Sequence, residues 1–285
     1  MGSLVAALGS YLNIRSQGGE WLVRMEDIDP PREEPGAADS ILKSLEAHGL
    51  HWHGDIMYQG QRSDAYETAL EQLYQHGLTY RCSCSRKQIE MTGGTGEFGP
   101  VYPGSCRDKS VNTDDSAIRI RTNSQAVITT DKVQGDYQQI LDRDIGDFVV
   151  KRRDKLYAYH LAVVVDDAEQ GITEIIRGVD LLDSTPRQQY LQHCLGLTTP
   201  VYAHLPVVLN QHGQKLSKQN QAPALDDRQA PTNIYNALLF LQQSPPFELA
   251  KETVDTQLHW ALAHWQLDEV SQNQKKSGPN QYGSV

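Results

Sequence analysis

The sequence predicts an α/β protein: a doubly wound, Rossmann-like parallel sheet with an inserted segment and a short C-terminal helical part. Three observations predict it. Strand-length apolar runs alternate with amphipathic helical stretches, the pattern of parallel sheets covered by helices. The alternation breaks between about residues 80 and 146, where three of the four cysteines crowd together. The chain has 285 residues, 39% hydrophobic and 22% charged, which excludes a collagen, a coiled coil and a wholly disordered chain. At roughly 150 residues per domain this length suits about two domains or one large one.

The elements follow in order. Leu4, Leu8, Tyr11 and Leu12 recur at helical spacing, and Gly18-Gly19 ends that helix. Trp21–Glu26 alternates as a strand, stopped by Asp29-Pro30-Pro31. A helix is expected over Ala38–His48, with Ile41, Leu42 and Leu45 inward and Gly49 as its stop. Another runs from a Ser63 cap through Tyr66, Leu70, Leu73 and Tyr74 to Gly77. Beyond the break, Ala117–Arg121 alternates, and Phe148–Lys151 with Leu156–Val165 reads as two strands around a polar turn. Thr173–Ile176 is a short strand, and Thr185-Pro186 opens a helix that Gly196 closes. Val201–Leu209 is extended, Gly213–Asn220 is a polar loop, and Ile234–Leu241 and Leu258–Leu267 are helical. Ser271–Val285 is polar without a period and reads as a disordered tail.

The formal charge is −10, which argues against a general nucleic-acid coat protein. Lys151, Arg152, Arg153 and Lys155 form a local basic strip, readable as a phosphate contact or as a solvated turn. No apolar run approaches the ~20 residues of a membrane helix, and no signal peptide is visible, so a cytoplasmic protein without membrane partners is expected. Cys82, Cys84 and Cys106 make a poor disulfide framework in a reducing compartment and suit a metal cluster. Cys194 stands on an apolar helix face and reads as core.

Two segments carry chemistry. Lys215-Leu216-Ser217-Lys218 follows the last expected sheet strand, where paired lysines can wrap a polyphosphate. Arg24-Met25-Glu26-Asp27-Ile28-Asp29-Pro30-Pro31-Arg32 places acids just past an apolar strand, where they can bind an ammonium, ribose hydroxyls or a metal.

Together these segments resemble the class I aminoacyl-tRNA synthetases of the glutamate group. Lys215–Gln219 is similar to the family's Lys-Met-Ser-Lys-Ser loop, and Leu22–Asp29 to the strand end that holds the amino acid. Tyr157–Asp167 and Glu174–Leu181 resemble two further blocks in family order. The resemblance spans residues 1 to about 240. Asp27–Arg32 and Lys215–Asn220 point to the branch that glutamylates queuosine in tRNA(Asp). Only about 65 residues follow Asn220, too few for the helical anticodon-binding domains of a full glutamyl enzyme.

The resemblance implies ATP, Mg²⁺ and structural Zn²⁺, with glutamate and queuosine-bearing tRNA(Asp) as substrates of a monomer. It implies that Lys218, assisted by Lys215, neutralises charge on the nucleotide, with Gly2 and Ser3 at an ATP-binding helix start. It implies that Arg177 meets a carboxylate of glutamate, Glu26 its ammonium, and Tyr159 supplies a hydroxyl and a wall. Zinc would sit on Cys82, Cys84, Tyr102 and Cys106, with Asp108 or water open as the fourth ligand. Residues 1–79 and 147–240 would be two halves of a catalytic domain, 80–146 the zinc insertion, 241–270 a helical segment and 271–285 the tail.

The chain departs from the family at its start. Of the His-x-Gly-His/Ser signature it shows Gly2 and Ser3 behind Met1, without the preceding strand, its arginine, or the nucleotide-binding histidine. This leads us to expect poor ATP–pyrophosphate exchange, or none, from the chain as it stands. The alternatives are a shortened glutamyl-tRNA synthetase-like enzyme acting on an acceptor end, and a non-catalytic tRNA- or zinc-binding paralogue.

Overall fold

The computed structural model describes residues 1–30, 33–111, 114–209, 225–272 and, as backbone, 275–277. The helical spacing of its apolar residues makes α1 (Gly2–Ser16) bury Leu4, Val5, Leu8, Tyr11 and Leu12. A short strand, β1 (Arg24–Met25), pairs in parallel with β2 (Met57–Tyr58) across α2 (Ala37–Ala47). Then come α3 (Ser63–Gln75), β3 (Thr79–Cys82), α4 (Arg86–Thr92) and the small hairpin β4 (Thr95–Gly96) and β5 (Gly99–Pro100). The middle of the chain holds β6 (Ala117–Ile120), β7 (Ala126–Asp131), β8 (Gly135–Ile140), α5 (Leu141–Asp144) and β9 (Val149–Lys151). The last part holds α6 (Tyr159–Glu169), β10 (Glu174–Gly178), α7 (Thr185–Leu195), β11 (Val201–Leu205), β12 (Val207–Leu209), α8 (Ala230–Phe240), α9 (Val254–His264) and β13 (Lys275–Ser277).

The largest sheet among the described residues runs β10-β11-β7-β8. β10 and β7 lie parallel to β11, and β8 returns antiparallel to β7. Alternation along β11 decides what each face packs against. Ala203 and Leu205 join a core with Leu8 and Leu12 of α1, Ile234 and Leu238 of α8, and Leu258 of α9. Tyr202 and His204 turn to the other face, where Gln192 of α7 donates to the Tyr202 hydroxyl at 3.1 Å. Helices therefore cover both faces of a sheet whose central pairs are parallel. A second core joins α3, α6 and α7 to the sheet β3-β6-β9 through Leu73, Ile120, Val150, Leu161 and Leu191. Gly196 ends α7 at φ 68°, a conformation that costs glycine little.

Several expectations need correction. Leu156–Val165 is not a strand: Tyr159 opens α6, and Leu161, Ala162, Val163 and Val164 are all buried. An apolar run enclosed on every side shows no period, and its β-branched residues suggest a strand. Asp166 and Asp167 accordingly lie within α6. In the Trp21–Glu26 segment only Arg24–Met25 pairs. Ile41 is 51% exposed because α2 buries none of its side chains. Tyr74 is exposed because α3 packs through Tyr66, Ala69, Leu70 and Leu73, leaving Tyr74 on the rim.

The division at 80 and 146 is not one of packing, since β7 and β8 from that segment complete the main sheet. Sequence reading also missed α4, although Ser85 and Gln88 form a capping box at its start. In the expected tail, Lys275–Ser277 pairs in parallel with β12. The loop Gly213–Asn220, with Lys215 and Lys218, lies outside the described residues. No described helix is long and apolar enough to cross a membrane.

One gap bears on the site. β1 and β10 do not pair with each other, and a cleft of about 450 Å³ is lined by Trp21, Leu22, Arg24 and Glu26 together with Thr173–Ile176.

Candidate active site and cysteine cluster

Glu26 follows β1, Arg177 stands near the end of β10, and Tyr159 is the first residue of α6. Ligands of parallel α/β sheets bind beyond such carboxyl ends. The structure brings the three side chains into one electrostatic neighbourhood. The Glu26 carboxyl is raised above its ordinary pKa, first by desolvation and then by Asp167, with Arg24 and Arg177 opposing. Its side chain is 44% exposed, so this desolvation comes from cleft walls and not from enclosure. The Tyr159 phenol is raised by burial and by Glu26, while Arg177 and a hydrogen bond with Gln188 pull the other way.

Arg177 is held along one edge. Its Nε donates to His204 Nε2 at 3.0 Å, and its Nη2 to Thr185 Oγ1 at 2.9 Å and Gln188 Oε1 at 2.7 Å. The Nη1 group makes no hydrogen bond among the described residues. The Nε–Nη2 edge is thus taken by the protein itself.

Sequence reading missed the groups that build this wall. Arg24 donates to Asp167 at 2.8 Å and to Gln170 at 2.8 Å, tying β1 to α6. Asp166 is buried and accepts from Gln59 at 2.7 Å, Arg62 at 3.0 Å and Tyr66 at 2.6 Å. His204 and Asp131 stand behind Arg177. His204 signals itself only as a polar residue inside the apolar run Val201–Leu209, and Asp131 falls in a stretch that reads as no element.

The basic strip is spoken for. Lys151 pairs with Glu67 at 2.6 Å, Arg152 with Asp29 at 3.0 Å, Arg153 with Asp115 at 3.4 Å, and Lys155 donates to the Asp114 carbonyl. It is a turn braced by ion pairs. Gly2 and Ser3 form the first turn of α1, with no capping side chain.

Cys82, Cys84 and Cys106 place all three sulfurs within 4.8 Å of one another. Tyr102 Oη lies 3.3 Å from Cys82 Sγ and 3.9 Å from Cys84 Sγ, and Cys84 Sγ lies 3.5 Å from Cys106 Sγ. Donors on a tetrahedral zinc lie about 3.8 Å apart, given Zn–S near 2.3 Å, so the four groups fit a Zn²⁺ ion. Asp108 turns away to Arg121 at 3.2 Å and is 88% exposed. Gly146 bridges to Tyr102, where a Cβ would meet the Tyr102 carbonyl at 2.3 Å, so only glycine permits this approach. Burial opposes ionisation of Cys106, but hydrogen bonds from the Ser83 backbone, Cys84, Tyr102 and Cys82 bring it down to about 7. Cys84 is pushed up to about 11, chiefly by burial. Cys194 is half-buried against the second core.

Comparison with known proteins agrees with this architecture. Residues 1–240 match the catalytic-domain family of class I tRNA synthetases, E and Q type. The chain is 53% identical over 264 residues to the glutamyl-Q tRNA(Asp) synthetase of Pseudomonas fluorescens, covering 93% of this chain and 87% of that one. It is 50% identical over 271 residues to that of Thiobacillus denitrificans, covering 95% and 90%. A crystal structure of a glutamate tRNA ligase from Elizabethkingia meningosepticum, in complex with its amino acid, shares the fold at a TM-score of 0.78 and 21% identity. That match covers 95% of this chain and 63% of the longer one. The fold is therefore a mixed α/β fold with a parallel sheet like that of glutamate tRNA ligase. The chain belongs to the class I tRNA synthetase family of glutamate and glutamine ligases, in its glutamyl-Q tRNA(Asp) synthetase branch.

Proposed function

We propose that this chain activates glutamate with ATP and transfers it to the queuosine base in the anticodon of tRNA(Asp). The observation that carries the reading is the convergence of Glu26 and Arg177, at the ends of parallel-paired strands, with Tyr159 at the start of α6, in a chain about half identical to glutamyl-Q tRNA(Asp) synthetases.

Glutamate and the magnesium complex of ATP react first. The α-carboxylate attacks the α-phosphorus, forming glutamyl-adenylate and releasing pyrophosphate. A hydroxyl of the queuosine cyclopentenediol then attacks the activated carbonyl, its proton is lost, and AMP leaves. Arg177 Nη1 meets a carboxylate of the amino acid, Glu26 holds its ammonium, and the Tyr159 hydroxyl closes that wall. Lys218, with Lys215 beside it, neutralises charge growing on the phosphate oxygens, and the free N–H groups at Gly2 and Ser3 favour the nucleotide.

A second cleft offers room for the nucleoside. It measures about 680 Å³ and is lined by Phe98, Phe148, Arg119 and Arg187. We further propose that Cys82, Cys84, Tyr102 and Cys106 hold a structural Zn²⁺, which orders the cysteine-bearing part of segment 80–146 between the two catalytic halves.

Transfer of labelled glutamate to tRNA(Asp) with and without queuosine tests the reading. Label confined to queuosine-bearing tRNA supports it. Label on tRNA(Glu) lacking queuosine overturns it in favour of acceptor-end chemistry.

A further inference from the structure

Three parallel strands set Asp131, His204 and Arg177 side by side across the sheet. The β10–β11 register puts Arg177 opposite His204, and the β11–β7 register puts Tyr202 opposite Asp131, one residue before. Asp131 Oδ2 lies 2.6 Å from His204 Nδ1, and both side chains are fully buried. Asp131 Oδ1 accepts from the backbone N–H groups of Val133, Gln134 and His204 at 3.0, 2.8 and 3.1 Å. That carboxylate is thereby fixed in place and can only accept.

The chemistry of the donors settles the tautomer. An arginine Nε–H can only donate. His204 Nε2, at 3.0 Å from it, must therefore be an unprotonated acceptor. The ring proton then sits on Nδ1 and is given to Asp131. A protonated His204 would set an N–H and a positive charge against the guanidinium at that distance. The ring lies nearly parallel to that of Tyr202, at 6.2 Å and 9° between planes, and is fully buried, held at both nitrogens.

We propose that Asp131 and His204 are positioning residues for the amino-acid site: Asp131 selects the Nδ1–H tautomer of His204, which then holds the Arg177 guanidinium so that Nη1 is presented to substrate. This rests on the reading that Arg177 meets glutamate. Charged or titratable groups facing His204 are Asp131 from β7, Arg177 and Asp180 from β10 and the turn after it, and Tyr202 from its own strand. Burial and the Arg177 charge keep His204 below its ordinary pKa, against the pull of Asp131.

The inference is tested by titrating glutamate calorimetrically into the full chain and by ¹⁵N NMR of the imidazole. Asp131→Asn offers an amide N–H to Nδ1, which favours the opposite tautomer and turns Nε2–H towards Arg177. Glutamate affinity should fall about 10-fold or more, the worth of a hydrogen bond to a charged group. His204→Gln offers an amide oxygen to Arg177 without any tautomer to choose. The double variant Asp131→Asn/His204→Gln should therefore bind glutamate better than Asp131→Asn alone, within about 3-fold of His204→Gln. A purely structural role would lower stability in each variant without changing which imidazole nitrogen carries the proton.

The NMR spectrum should show Nε2 unprotonated in the parent chain and protonated in Asp131→Asn. Additive losses, an Asp131→Asn chain that binds glutamate normally, or a parent ring protonated at Nε2 would each overturn the proposal. A parent chain with the expected tautomer and no glutamate binding would instead overturn the reading of Arg177 as a glutamate contact, and with it the claim that the relay serves a substrate.

Discussion

Arg24 donates to Asp167 at 2.8 Å across 143 residues of sequence, fastening the carboxyl end of β1 to the body of α6. The two side chains are only 13% and 8% exposed. Their bond sets the wall that Glu26 shares with Arg177, and it explains why Asp167 is raised by burial yet restrained by Arg24.

Asp167→Asn removes the charge that partners a nearly buried guanidinium. Breaking such a pair from one side costs about 3 kcal/mol. We expect a urea midpoint lowered accordingly. Arg24→Met/Asp167→Leu should cost less than the sum of the single changes, because it leaves no lone charge.

His160 makes the fold sensitive to acid. Burial, with Arg187 and Arg177, lowers it to about 3, and its buried Nδ1 has no hydrogen-bond partner among the described residues. Below about pH 6.5 the unfolded chain binds this proton while the folded chain refuses it. Stability therefore falls as pH drops from about 6.5 towards 3, by an amount on the order of a few kcal/mol. His160→Phe should flatten that limb, and the difference between the two urea-against-pH curves isolates the histidine. Identical slopes would show that His160 ionises freely.

Cys106→Ser should abolish zinc uptake measured by elemental analysis and lower Tm by several degrees. Tyr102→Phe keeps three thiols and should bind zinc more weakly, with faster loss to a chelator. Unchanged retention in Tyr102→Phe would move the fourth ligand from Tyr102 to water.

Lys218→Ala should slow glutamate-dependent ATP–pyrophosphate exchange by about 10²–10³, the usual cost of one group that stabilises developing oxyanion charge. Glutamate affinity measured without ATP should stay within twofold. A loss confined to glutamate binding would remove Lys218 from the nucleotide.

Elements whose signals are local were legible in the sequence. The spacing of Leu4, Leu8 and Leu12, the Pro186 start and the Gly196 stop depend on residues within one or two turns, so α1 and α7 could be read directly. The cysteines came the same way, since Cys82-x-Cys84 is a local spacing. Glu26, Tyr159 and Arg177 were nominated by the resemblance of their segments to the synthetase family. Tertiary structure decided α6, because a run such as Val163-Val164-Val165 takes its conformation from what encloses it. It also decided which edge of Arg177 is free. That depends on cross-strand register between residues 27 and 73 positions apart, where no short-range pattern links Arg177 to His204 or His204 to Asp131. Sequence by itself chose the chemical groups and the helices that obey local periodicity. Only folding chose their orientation, because orientation is set by long-range hydrogen bonds whose partners become neighbours once the sheet has formed.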